Sequence, residues 1–243
     1  NYFNTLAEDV RSTLVQYVNE TVLNATEKKY LAIIKNWDLM ASPDSKGQTV
    51  YQCWWDSLEV EIWKDDLARV SPQAPWPEEQ TTMELLKKDS ALQFIDNINT
   101  PQKETLYDAV TTALKKASAD LAIKEAEGKL EWTKFKNPTV YHLLKDALPA
   151  FARKGLNVGG NGNIVNAVTH SHGPRWRMIV HLTNQTEAYG VYPGGQSGNP
   201  GSRFYDDYID KWVAGEYNKL WFMREGDKTD KNVKWVMKFE NSN

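Results

Sequence analysis

The chain has 243 residues, enough for one or two domains with a sizeable hydrophobic core. Its formal net charge of -3 argues against a nucleic-acid partner, because neutralising phosphates requires clustered lysine and arginine. No apolar run approaches the roughly 20 residues that cross a bilayer, so we expect no membrane partner either.

The first half of the chain follows the period of amphipathic helices. Apolar residues recur every three or four positions over 6–18 and again over 30–37, which predicts two helices with a break near 24–26. A Pro, Asp, Ser and Gly cluster at 42–47 predicts a loop, and the spacing resumes at 54–62 as a third helix.

Prolines mark the next two features. Three of them lie within 71–80, and because proline fixes φ and removes a backbone donor, we expect an irregular connection there. Thr100 followed by Pro101 matches an N-cap with proline at the first helical position, which predicts a long helix ending at Gly128.

Strand patterns replace helical ones in the last third. From Gly155 onward the composition shifts to Gly, Asn, Thr and Val, and alternation at 175–180 predicts a strand. A second strand is predicted at 187–192. Segments 221–224 and 233–240 are predicted to pair as a terminal hairpin.

A run of helices followed by a run of strands is typical of the α+β class. We therefore expect a mostly helical region over 1–150 and a strand-rich region over 151–243. The single cysteine, Cys53, excludes an internal disulfide, and its expected role is that of a small buried core residue.

His170 and His172 are one residue apart, so on a strand both rings would face the same side and could offer two nitrogens to a metal. No third ligand is evident. The interpretation that the residues favour is a structural pair, or one histidine hydrogen-bonded near the wall of a site.

Other patterns indicate turns or surface charge more than catalysis. The glycine runs at 159–163 and 194–199 lack dinucleotide or P-loop spacing, so glycines at turns that need positive φ are expected. Ser197 lies outside a Gly-x-Ser-x-Gly elbow and is expected to be a turn residue. The acidic pair Glu59 and Glu61, like Asp206 and Asp207, is typical of exposed positions rather than of a glycosidase dyad.

Two runs carry a resemblance to a known family. Segment 169–180 reads Thr-His-Ser-His-Gly-Pro-Arg-Trp-Arg-Met-Ile-Val, and segment 191–202 reads Val-Tyr-Pro-Gly-Gly-Gln-Ser-Gly-Asn-Pro-Gly-Ser. Both resemble the C-terminal part of the penicillin and acyl-homoserine-lactone acylases. Arg175 and Asn161 stand where that family tends to have Ser and Asp.

This resemblance implies an N-terminal-nucleophile hydrolase with an αββα core that is incomplete in this chain. The serine nucleophile, its α-amino base and the oxyanion-hole asparagine would precede Asn1, so no catalytic residue and no metal ligand are expected here. The expected residues of a site wall, or of its support, are Asn161, Asn163, Asn166, His170, His172, Arg177, Gln196 and Asn199.

The same resemblance implies the partners and the location. The chain would need no cofactor of its own, while the full-length protein could hold calcium. Its partners would be the N-terminal remainder of the precursor, comprising the α chain and the start of the β chain, and a small-molecule N-acyl substrate. The location would be periplasmic or otherwise exported. The alternative is a catalytically inactive binding or structural module of the same fold.

Overall fold

The computed structural model describes residues 2–70 and 74–240, which divide between two compact units, Asn1–Gly173 and Pro174–Asn243. The first unit is helical, and the second carries the sheet. Segment 151–173, predicted from composition to go with the strands, belongs to the helical unit. None of the described helices is both long and apolar enough to span a membrane.

Helices dominate the first unit, and the three that the early periodicity predicts are confirmed. They are α1 (Thr5–Tyr17), α2 (Ala25–Lys35), α3 (Lys46–Leu67), α4 (Glu79–Lys88), α5 (Leu106–Ala126) and α6 (Trp132–Lys136). Short 3₁₀ turns lie at Glu20–Val22, Gln93–Ile95 and Pro149–Phe151.

Helix α5 starts later than predicted, so the Thr100 cap is wrong. Thr105 is the N-cap, and it forms a reciprocal capping box with Asp108. The Thr100 hydroxyl instead donates to Glu104 Oε1 at 2.6 Å, which places it in the turn that precedes the helix. The two-sided cap of Thr105 satisfies two backbone donors and therefore fixes the start of the helix.

Helix α4 is absent from the predicted elements. Pro75 and Pro77 lie in irregular backbone as expected, whereas Pro72 lies outside the described residues. The connection ends sooner than predicted, because Gln80 is already helical. With only Thr82, Met83 and Leu86 buried, α4 is too short to show a clear period in the sequence.

The core of the first unit is built around α3. Trp54, Leu58 and Ile62 of this helix are completely buried. The Trp54 indole donates to the Val110 carbonyl oxygen of α5 at 3.0 Å, which satisfies its polar atom inside the core. Tryptophan serves as core in this helix, where Trp54, Trp55 and Trp63 are all buried.

The second unit contains a three-stranded antiparallel sheet in the order β1-β2-β3, which confirms the first two predicted strands. Ile179 of β1 lies opposite Tyr189 of β2, and Tyr189 lies opposite Lys219 of β3. The elements of this unit are β1 (Arg177–His181), β2 (Glu187–Val191), α7 (Ile209–Ala214), β3 (Asn218–Leu220) and a 3₁₀ turn at Glu225–Thr229.

The predicted terminal hairpin is wrong, because 221–224 and 233–240 form no strand. The segment just before them, β3, pairs with β2 instead. Trp235 is 92% exposed, so alternation in this segment does not correspond to a buried face.

Both faces of strand β1 are open in this chain. Met178 and Ile179, which point to opposite faces, are 53% and 51% exposed. The described residues form one small sheet, so they do not complete a four-layer core.

Candidate functional site

One buried lysine holds the Gly/Asn-rich segment 159–168. Lys136, at the end of α6, is 8% exposed. Its ammonium donates to the carbonyl oxygens of Gly159, Gly160 and Val168, at 3.0, 2.8 and 2.9 Å. The three hydrogens of an ammonium thus match three backbone acceptors, and the segment is closed into a loop around the side chain.

An aromatic ring lies beside this ammonium. Lys136 Nζ lies 5.4 Å from the centroid of the Trp132 ring, whose indole donates to the Gly160 carbonyl oxygen at 2.6 Å. Burial lowers the pKa of Lys136 to about 7, whereas hydrogen bonds to three carbonyls favour the charged form. The two effects oppose each other, so this lysine is held by hydrogen bonds at a cost in desolvation.

Gly160 confirms the prediction of a glycine at positive φ, since its φ is 92°. A Cβ at this position would lie 2.0 Å from the Asn166 carbonyl oxygen, so a larger residue is excluded. The close approach of the backbone is what allows Lys136 to reach carbonyls on both sides of the loop.

The amides of this segment bind groups of the protein itself. Asn161 is buried, donates to Gln48 Oε1 at 3.2 Å and accepts from the Asn163 backbone at 2.8 Å. Asn163 donates to the Glu79 carboxylate. Asn166 Nδ2 lies 3.4 Å from the Gly159 carbonyl oxygen. These contacts give the three asparagines structural partners, and their predicted part in a site wall stays a prediction.

Asn163 also opens onto an acidic pocket of about 610 Å³ between α1, α3 and α4. Glu79 accepts hydrogen bonds from Tyr51 and Asn163, one on each carboxylate oxygen. Four carboxylates and no lysine or arginine line this pocket. The lining residues are Thr5, Leu6, Gln52, Trp55, Asp56, Glu59, Pro77, Glu78, Glu79, Gln80 and Asn163.

Burial raises the pKa of three carboxyl groups of the pocket, those of Asp56, Glu59 and Glu79. Burial raises the pKa of Glu59 to about 7, and the negative charges of Glu79 and Asp56 add to the shift. Glu61 does not share the pocket, because it pairs with Lys116 at 2.6 Å. Glu59 and Glu61 therefore form no dyad, but neither occupies the exposed position that the sequence predicts, since both are partly buried.

The two histidines do not share a face, since neither lies on a strand. His170 contacts Tyr141 through Nε2, while His172 Nδ1 contacts Ser171 Oγ at 3.0 Å. Within the described ranges no group of three His, Cys, Asp or Glu could hold a metal ion. The two histidines therefore do not offer two nitrogens to one metal ion. Each ring takes part in a hydrogen bond instead.

The remaining candidates lie in the second unit. Arg177 donates to the Trp212 carbonyl oxygen at 2.7 Å, and its guanidinium stacks 4.4 Å from the centre of that ring. Asn199 Oδ1 accepts from the Gly201 backbone at 2.9 Å, and Ser197 Oγ accepts from the Asn199 backbone at 3.1 Å. These are turn contacts, as expected for Ser197.

Gln196 is exposed, and its side chain hydrogen-bonds Tyr192. Any part of Arg177, Gln196 and Asn199 in a site wall stays a prediction. The residues that sequence reasoning misses are Lys136 and Glu79. In the sequence, Lys136 is a lysine near a helix end with no distinguishing pattern around it, and Glu79 is an acidic residue that follows prolines.

Comparison with known proteins gives three findings. Residues 1–229 match the family model of penicillin amidase. The acyl-homoserine lactone acylase QuiP of Pseudomonas putida is 28% identical over 215 residues, which is 78% of this chain and 26% of that protein. A thermostable penicillin G acylase from Alcaligenes faecalis has a similar fold, with a TM-score of 0.50 and 13% identity over 100% of this chain and 48% of that one.

The chain therefore spans about a quarter of the curated relative and about half of the solved acylase chain. At 13% identity the solved structure shows likeness of fold alone.

Replacing Lys136 by methionine should leave the Val168 carbonyl without its donor, whereas the Gly160 carbonyl keeps the Trp132 indole and the Gly159 carbonyl keeps its longer contact with Asn166. Unsatisfied buried acceptors cost about 1–3 kcal/mol, and relief of ammonium desolvation offsets part of this loss. We expect a net loss of about 1–2 kcal/mol in the free energy of unfolding, measured by urea denaturation. The control is Lys134→Met in the same helix, where an exposed ion pair with Glu131 should contribute less than about 0.5 kcal/mol. Equal stabilities of the two variants would contradict the anchoring role of Lys136.

Glu59 should make stability depend on pH. Its folded-state pKa is about 7 against an ordinary 4.5, so the folded protein binds more protons between these values and its stability falls as pH rises through that window. Glu59→Gln removes the charge and should raise Tm at pH 8 while changing it little at pH 4.5. Thermal melts at both pH values test this, with exposed Asp120→Asn as the control. A Glu59→Gln variant that melts below the wild type at pH 8 would overturn the prediction.

Proposed function

This chain belongs to the penicillin amidase family, and from that premise we propose that it is part of an acylase that hydrolyses a linear N-acyl amide bond. The observation that carries the proposal is the family match over residues 1–229, supported by the similarity to an acyl-homoserine lactone acylase. The substrate is a small molecule that carries an acyl group on nitrogen.

In this proposal the nucleophile is the N-terminal serine of the processed protein, and it lies outside residues 1–243. Its hydroxyl attacks the amide carbonyl, the amine leaves, and water hydrolyses the acyl-enzyme while the serine's own α-amino group moves the proton. Donors to the oxyanion each contribute about 3 kcal/mol in such reactions.

The geometry of the described residues is consistent with this division of labour. Among the described residues, the hydroxyl groups of Ser171 and Tyr141 each contact an imidazole, and neither lines the acidic pocket. No carboxylate or carbonyl of the described residues contacts the His172 ring, so that ring lacks the third group that orients a catalytic base. The chain supports the reaction by its structure.

The remainder of the precursor is the proposed partner of the second unit. Met178 and Ile179 leave both faces of β1 half exposed, and Trp235 is almost fully exposed. Exposed apolar side chains on both faces of one strand favour an interface here. We assign it to the α chain and the start of the β chain, which would supply further layers of the fold.

A calcium ion in the full-length protein would need ligands outside the described residues. The described residues do not fit such a site, because they contain no cluster of three acidic or metal-binding side chains of suitable geometry. An exported, periplasmic location stays a prediction from the family resemblance.

The full-length gene product tests the proposal directly. We expect maturation to give a chain that starts with serine and contains residues 1–243, as measured by intact mass and N-terminal sequencing. The mature protein should hydrolyse at least one compound in a panel of N-acyl homoserine lactones and phenylacetyl amides, and the isolated segment 1–243 should hydrolyse none. A Ser→Ala change at the start of the mature chain is the matched control and should abolish turnover.

Two outcomes would count against the proposal. An unprocessed full-length protein that is inert toward the whole panel would favour the catalytically inactive module. Hydrolysis by segment 1–243 alone, at a rate near that of the full-length protein, would place the nucleophile inside this chain.

A further inference from the structure

The contact between Tyr141 and His170 joins a phenol to an oriented imidazole on the surface of the first unit. Tyr141 Oη and His170 Nε2 are 2.9 Å apart. The other ring nitrogen, Nδ1, lies 2.8 Å from the Asn137 carbonyl oxygen and 3.1 Å from that of Lys136. Both nitrogens of the ring are therefore engaged, each on a different partner.

These partners fix the tautomer of the neutral ring. A carbonyl oxygen can only accept, so Nδ1 carries the hydrogen and Nε2 presents its lone pair. Tyr141 must then donate its O–H to Nε2. In this series the carbonyl oxygen orients the imidazole, the imidazole can act as the base, and the phenol can act as the nucleophile.

The backbone holds both residues in place. Asn137 ends α6 in the left-handed conformation with a φ of 48°, and the last carbonyls of a helix lack partners within it. They are thereby available to His170 Nδ1. The His170 carbonyl oxygen accepts from the Thr139 backbone at 2.7 Å, and Val140 pairs with Arg153 in an isolated bridge. The segment that carries Tyr141 is thus tied to the one that carries His170.

We propose that Tyr141 is an acyl-acceptor site, with His170 as the general base that removes the phenolic proton. The donor class is an activated ester with a good leaving group. This site is separate from the amide hydrolysis proposed above and does not depend on it.

The transfer balances without a further reactant. The Tyr141 oxygen forms a bond to the ester carbonyl carbon, the bond from that carbon to the leaving oxygen breaks, and the alcohol leaves as its anion. The phenolic proton moves to His170 Nε2, while Nδ1–H keeps its hydrogen bond to the Asn137 carbonyl. The product is an O-acyl tyrosine.

The surroundings favour this reaction. Tyr141 is 38% exposed, so a small ester can reach it. Lys145 places its ammonium 5.6 Å from the centre of the tyrosine ring.

Tyr107 provides an internal comparison. It is 50% exposed, more than Tyr141, and packs edge-on against Tyr17. No imidazole contact of its hydroxyl is found in the described part of the chain. The two tyrosines therefore differ in that, among the described residues, only Tyr141 has a neighbouring base. Tyr107 is the more accessible of the two, so a slower reaction at Tyr107 would not come from poorer access.

The experiment treats the full-length protein with p-nitrophenyl acetate and follows O-acetylation at Tyr141 and Tyr107 by peptide mass spectrometry. General-base assistance contributes about 10²–10⁴-fold when fully expressed, so we expect Tyr141 to react at least about tenfold faster than Tyr107.

Variants separate the base from its neighbours. His170→Gln should bring the Tyr141 rate down to that of Tyr107, and Tyr141→Phe should remove that adduct alone. His172→Gln is the matched control and should leave the ratio unchanged, since this ring contacts Ser171. Equal rates at the two tyrosines in the wild type would overturn the proposal whether or not His170→Gln folds, as would an unchanged Tyr141 rate in a folded His170→Gln protein. Neither result would bear on amide hydrolysis.

Discussion

The ammonium of Lys136 is the interaction on which the organisation of the candidate site depends. It donates hydrogen bonds to the carbonyl oxygens of Gly159, Gly160 and Val168, and the Trp132 ring lies beside it. Closure of the loop holds its asparagine side chains in fixed positions. Asn161 reaches the buried Gln48, and Asn163 reaches the edge of the acidic pocket at Glu79. The same helix end supplies the carbonyls that orient His170.

Periodicity in the sequence predicts the parts of the fold in which one face is buried. The first three helices and strand β2 follow from it, because apolar spacing there corresponds to burial, whereas β1 forms with most of its residues exposed. It fails where other forces decide. The start of α5 is set by the capping box of Thr105 and Asp108, and α4 has too few apolar residues to show a period. The alternation at 233–240 has no buried face in this chain, so it predicts a strand that does not form.

The candidate site is harder to predict because its contacts are far apart in sequence. Asn161 and Gln48 are separated by 113 positions, and Asn163 and Glu79 by 84. The glycines of the loop could be predicted, since Gly160 needs positive φ. Nothing in the local sequence distinguishes Lys136 from the exposed Lys134 two residues earlier. Family resemblance, by contrast, could be read from motifs, and the match over residues 1–229 confirms it.

The central proposal is that this chain is part of an amidase and does not contribute its nucleophile. The most direct measurement treats the active full-length protein with a serine-directed sulfonyl fluoride and maps by peptide mass the adduct whose formation tracks the loss of amide hydrolysis. The account predicts that this adduct lies on a serine outside residues 1–243. An adduct on a residue within 1–243 that rises in step with the loss of activity would contradict it.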